Sequence, residues 1–167
     1  MALTTTLILI GSFILMEAFF SGSEIGMIAI NRIKMKKKAD EGNGSAQIVL
    51  DLLNTPEKLF ATTSLGTNLA VVSSTSIFTA YMVTNMGPKG ELMAMLILSP
   101  IILFAGEIVP KIILQNRADV IMPFLIRPLN VSLGLLSPII SFFTGISNFG
   151  TCKFLRLPKA EQQPYSL

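Results

Sequence analysis

The chain has 167 residues, 51% of them hydrophobic and only 14% charged, with mean hydropathy +0.64. A soluble domain carries about 25% charged residues, so this composition excludes an ordinary soluble fold and points to a one-domain, all-α integral membrane protein. The net charge of +3 is no nucleic-acid signal, because the basic residues flank apolar blocks. With no histidine and one cysteine, Cys152, the chain offers no disulfide framework, no zinc motif and no imidazole base, and an enzyme is not expected.

The start, Met1-Ala2-Leu3-Thr4, lacks a basic n-region. The first apolar segment, from about Leu3 to Ile30, is therefore expected to be retained as a span. It ends at Arg32, Lys34, Lys36, Lys37 and Lys38, the densest basic cluster. By the positive-inside rule that end is cytoplasmic and the N-terminus is outside. The cluster should anchor on anionic lipid heads. Asp40 to Ser45 reads as a turn, and Ala46 to Leu53 as a short helix on the membrane surface, with Ile48, Val49, Leu52 and Leu53 apolar. Thr55-Pro56-Glu57 is a helix start, and the second span runs from Leu59 to about Val83. Asn85 to Glu91 is a polar turn. The third span runs from Leu92 to about Leu114, where Pro100 and Pro110 should kink or break it. The stretch Leu129 to Phe149 is long enough for a fourth span, yet Arg117 and Arg127 precede it and Lys153, Arg156 and Lys159 follow it. Both flanks read as cytoplasmic, so a re-entrant hairpin or a belt of interfacial helices is expected instead. The expected fold is three transmembrane helices with broken segments plus cytoplasmic juxtamembrane helices, over residues 1–157. Residues 158–167 are expected to form a flexible tail.

Three intramembrane segments are rich in oxygen ligands: Ser21-Gly22-Ser23-Glu24, Thr62 to Asn68, and Gly106-Glu107-Ile108-Val109-Pro110-Lys111. Ser21 and Ser23 lie eleven and nine residues from Arg32, Asn68 eleven from Glu57, and Glu107 ten from Arg117. Along continuous helices each lies roughly 13–17 Å from the inner surface, near the midplane of the bilayer. One carboxylate, one amide oxygen, two hydroxyls and carbonyls freed at glycine or proline breaks suit a hard cation, Mg²⁺ or Na⁺. Plainer roles compete with this. Thr62, Thr63 and Ser64 can bond back to their own helix, Ser73 to Ser76 can form a small-residue packing face, and Asn68 can bridge two helices. Glu17 reads either as a second ion or proton site or as a group facing a water-filled outer cavity. Glu24 and Glu107 compete for Lys111. Similar depth favours Glu24–Lys111 as the structural pair, with Glu107 as the ligand.

The three motifs, in this order, resemble the CorC/CNNM family of divalent-cation transporters over nearly the whole chain. The resemblance implies three transmembrane helices, a cytoplasmic helical belt and a homodimer in the cell membrane. It also implies Mg²⁺ export with Na⁺ as coupling ion. Carried over to matching positions, the Mg²⁺ ligands would be Ser21, Ser23, Asn68 and Glu107, with backbone carbonyls near Gly22 and Gly106. Family members continue into paired CBS domains that bind ATP. Those are missing here, so the chain reads as the membrane part of a longer protein, and ATP binding is not expected. A broader Na⁺ or divalent-metal carrier and a membrane anchor or Mg²⁺ sensor are the alternatives.

Overall fold

Leu, Ile, Phe and Met without an interrupting proline carry the chain through one long helix, α1 (Leu3–Ala29). Asn31 then caps a short basic helix, α2 (Arg32–Asp40), its side chain accepting from the Lys34 N–H at 3.1 Å. Asn43 caps α3 (Gly44–Leu53) in the same way, through the N–H groups of Ser45 and Ala46. With Pro56 in its first turn, α4 (Pro56–Met86) returns along α1. It stops at Gly87, whose φ of 65° is a left-handed conformation that glycine adopts without strain. The chain reverses there into α5 (Lys89–Ile101), a π-helical segment (Ile102–Ile108) and α6 (Val109–Phe154). This computed structural model describes residues 3–154, with side chains described through residue 140. No strand occurs among the described residues, and the expected tail lies outside them.

Three helical stretches are long and apolar enough to cross a membrane: Leu3–Ala29, Pro56–Met86 and Lys89–Ile140. The third would be about 78 Å long as a straight helix, against a hydrocarbon core of about 30 Å, so only part of it can cross. Its bend is at Arg117, the one residue with non-helical angles inside α6 (φ −127°, ψ 25°). The stretch from Lys89 to that bend, about 42 Å, is sufficient for a crossing.

Irregularity is thus concentrated in the third span. At Gly22 and Gly66 the helices run through. At Pro110 the helix does not break. It widens just before the proline, the Val109 N–H bonding to Phe104 O in the π register. Pro110 donates nothing, so a carbonyl at or next to Gly106 loses its helical partner. The expected re-entrant hairpin is not found either. From Ala118 the chain continues as helix, and Ala118, Met122, Ile126 and Leu129 form a buried stripe packed with Met35, Ala46, Val49 and Leu52. The prolines at 123, 128 and 138 sit within this helix. The stretch therefore begins as one side of a helical belt with α2 and α3. Asp119 fastens the belt to the end of α1: its carboxylate accepts from the Asn31 N–H at 2.8 Å and from Lys34 Nζ at 2.9 Å, and its carbonyl accepts from Lys38 Nζ at 3.1 Å. A smaller cluster, Ile10, Phe78, Ala94 and Leu98, closes the opposite end.

A candidate cation site around the first helix

Between α4 on one side and the π segment with α6 on the other, α1 is the central element. Its register against each neighbour is set by residues lacking a side chain. Gly66 of α4 packs on the Phe20 ring, and Glu24 Oε2 lies 3.4 Å from Thr63 Oγ1. As numbering rises on α1 it falls on α4, so the two are antiparallel. Against the third span the order is parallel. Gly106 lies directly on the Glu17 carboxylate, and Gly22 faces Pro110 and Leu114. At Gly26 a Cβ would meet Met122 Sδ at 2.6 Å. The three motifs therefore meet around the middle of α1.

Buried polar atoms mark the same place. Glu17 is 1% exposed, Ser21 2% and Ser23 0%. Glu17 Oε2, Ser21 Oγ, Ser23 Oγ and Thr67 Oγ1 are buried without a hydrogen-bond partner. An orphaned buried polar group costs about 1–3 kcal/mol, and in lipid no water relieves it. Elsewhere in the second span the hydroxyls do bond back to their own helix: Thr62 to Lys58 O at 2.8 Å, Thr63 to Leu59 O at 3.1 Å, Ser74 and Thr75 to Val71 O. The unpartnered serines of α1 are an exception that asks for a ligand.

Of the residues expected to form a site, Ser21, Gly22 and Ser23 are buried in the middle of α1, where Gly22 faces Pro110 and Gly106 packs on Glu17, one turn before Ser21; the Ser21 and Ser23 hydroxyls, two residues apart, point to different sides of the helix. Asn68 is exposed, its Nδ2 donating to Ser64 O at 2.8 Å. It does not bridge two helices, and its neighbour Thr67 carries the buried orphan hydroxyl. Glu107 is half-buried and takes Lys111 Nζ on Oε1 at 2.6 Å. The expected Glu24–Lys111 pair is therefore corrected: Lys111 pairs with Glu107. The two lie four apart on one face and keep that spacing through Pro110, whereas Glu24 turns toward α4. Equal depth had suggested the other pairing, but depth says nothing of which way a helix face points.

Glu17 is the residue whose place the sequence left open. Its signal was available: it lies four residues before Ser21, on the same face. The structure buries it against Gly106, within electrostatic reach of Glu107 and Lys111. Among the described residues no group of three or more His, Cys, Asp or Glu could hold a metal. The donor set is hydroxyls, carbonyls and separate carboxylates, which suits hard cations.

The profile of the CNNM family, "Cyclin M transmembrane N-terminal domain", matches residues 7–166. The chain is similar to the UPF0053 inner membrane protein YfjD of Escherichia coli K12, 30% identical over 134 residues, which are 78% of this chain and 31% of that protein. A UPF0053 protein of Haemophilus influenzae is 27% identical over 138 residues, 83% of this chain and 33% of the relative. The Polyamine export protein of Escherichia coli K12 is 29% identical over 149 residues, 81% of this chain and 33% of the relative. The chain thus spans about a third of the length of these curated relatives.

Proposed function

The chain belongs to the CNNM family of transmembrane domains, a family associated with ion transport, and from that premise we propose that it is the membrane domain of a Mg²⁺ transporter, exporting Mg²⁺ in exchange for Na⁺. The observation that carries this reading is the pair of buried, unpartnered hydroxyls of Ser21 and Ser23 in the middle of α1, the helix that packs against both α4 and the π segment. Those hydroxyls, the carbonyls at Gly22 and Gly106, the Asn68 amide oxygen and the Glu107 carboxylate make an all-oxygen donor set for the transported ion. Two of these groups must move to serve. Asn68 must turn inward, and Glu107 must exchange the Lys111 ammonium for the ion. The ion therefore competes with an internal cation, a means of coupling occupancy to the shape of the third span.

The domain works as a homodimer in the cell membrane, with its N-terminus outside and the basic belt cytoplasmic. The basic cluster of α2 supports the orientation. Exposed Leu69 and Val72 on α4, and Leu92, Met95 and Leu96 on α5, offer apolar surface to lipid or to a second copy. The test is metal flux in proteoliposomes. Mg²⁺ movement driven by an opposed Na⁺ gradient supports exchange. Flux that ignores Na⁺ removes the coupling, and no flux at all reduces the domain to an anchor or sensor. A second reading, an organic polycation as cargo, is favoured by the relatives named Polyamine export protein. Spermidine that competes with Mg²⁺ for binding would support it.

A further inference from the structure

We propose that Glu17 anchors a second cation site, one helical turn before Ser21 on α1 and overlapping the first, in which its carboxylate, with the Ser21 hydroxyl and the backbone at Gly106 that the two sites share, holds one monovalent hard cation of the sodium class. This rests on the reading of the domain as a cation transporter and assigns the place where the second ion sits. Charge is the first argument. Glu107 and Lys111 are paired with each other at 2.6 Å and cancel. On α4 the residues near this level, Gly66, Thr67, Leu69 and Ala70, carry no charge. Glu24 lies nearly two turns further along α1, turned toward Thr63. Glu17 is left as the uncompensated charge, and one positive charge balances it.

Donor chemistry is the second argument. Glu17 Oε2 and Ser21 Oγ are buried orphans four residues apart on one face. A serine hydroxyl keeps two acceptor lone pairs. Pro110 leaves a carbonyl of the π segment without its helical donor, and irregular carbonyls of this kind hold sodium in other membrane proteins. Gly106 has no side chain to fill the space: a Cβ there would run into the Glu17 carboxylate. Size is the third. At 1% exposure Glu17 has no open face for an organic ammonium, so this site rejects a polyamine even where the Glu107 site accepts one.

The experiment is equilibrium binding of radioactive sodium to the purified protein at constant ionic strength, with N-methylglucamine as the inert cation, beside Mg²⁺ calorimetry on the same samples. The wild type should show saturable sodium binding, Glu17→Gln should lose it, and Glu107→Gln should keep it while losing Mg²⁺. Glu17→Asp, which keeps the charge on a shorter arm, should bind sodium more weakly than the wild type; this comparison carries the test if Glu17→Gln fails to fold. Sodium binding that depends on Glu17 in a protein without Mg²⁺ affinity would leave this site standing and overturn only the magnesium reading. A wild type with no saturable sodium binding, its charge met by a proton instead, overturns the proposal. So does undiminished binding in Glu17→Gln or wild-type affinity in Glu17→Asp.

Discussion

At the scale of single residues, the site is governed by what competes for each oxygen. Lys111 occupies Glu107 at 2.6 Å. A half-exposed i,i+4 pair is worth about 0.3–1 kcal/mol, so Lys111→Met should raise Mg²⁺ affinity by a factor of about two to five. Calorimetry reads this directly, and a fall in affinity would show that Lys111 is no competitor. The contact of Gly106 with Glu17 gives a second test. Gly106→Ala forces a methyl group into the carboxylate and should cost about 1–3 kcal/mol of stability in a denaturation series. Gly11→Ala, where a Cβ meets nothing within 4 Å, is the control and should leave stability unchanged or slightly raised. Legibility divides along the same line. Depth in a membrane is linear in residue number, so counting from the cytoplasmic flanks brings Ser21, Ser23, Asn68 and Glu107 to one level. Direction around a helix axis is set by packing, so the partner of Lys111 and the outward face of Asn68 were not readable.

At the scale of elements, apolar length and capping residues were enough to place α1, the Pro56 start of α4 and the reversal at Gly87. The third span was harder. Proline in a membrane helix is tolerated where neighbours and local π geometry absorb the lost bond, and residues 102–108 do so beside Pro110. The charge flanks of the last apolar stretch argued against a crossing, but charge alone does not separate a hairpin from a helix lying in a belt. Asp119 decides how that belt is held. Its carboxylate serves a backbone N–H as well as Lys34, so Asp119→Ala should cost about 1–2 kcal/mol. Lys34 is largely exposed, and Lys34→Ala should cost about 0–1 kcal/mol. Equal losses, measured by thermal or urea unfolding, would show that the ion pair alone holds α2 to α6.

At the scale of the whole molecule, three helical stretches are long and apolar enough to span, and the middle of α1, flanked by the other two, carries the buried unpartnered oxygens proposed as cation ligands. In a Cys152→Ser background, Lys89→Cys at the reversal between α4 and α5 should react with an impermeant thiol reagent in intact cells. Asn43→Cys, between α2 and α3, should react only after permeabilisation; the reverse pattern inverts the orientation. A dimer mass in several mild detergents should accompany the folded state, and a monomer throughout would remove the homodimer. The central claim is that the intramembrane oxygens bind the transported ion with Glu107 as the essential charge. Mg²⁺ titration calorimetry on the wild type and Glu107→Gln tests it most directly. The account predicts a saturable isotherm for the wild type that disappears in Glu107→Gln and nearly so in Asn68→Ala, with melting behaviour and oligomeric mass unchanged. Wild-type Mg²⁺ affinity in Glu107→Gln would contradict it.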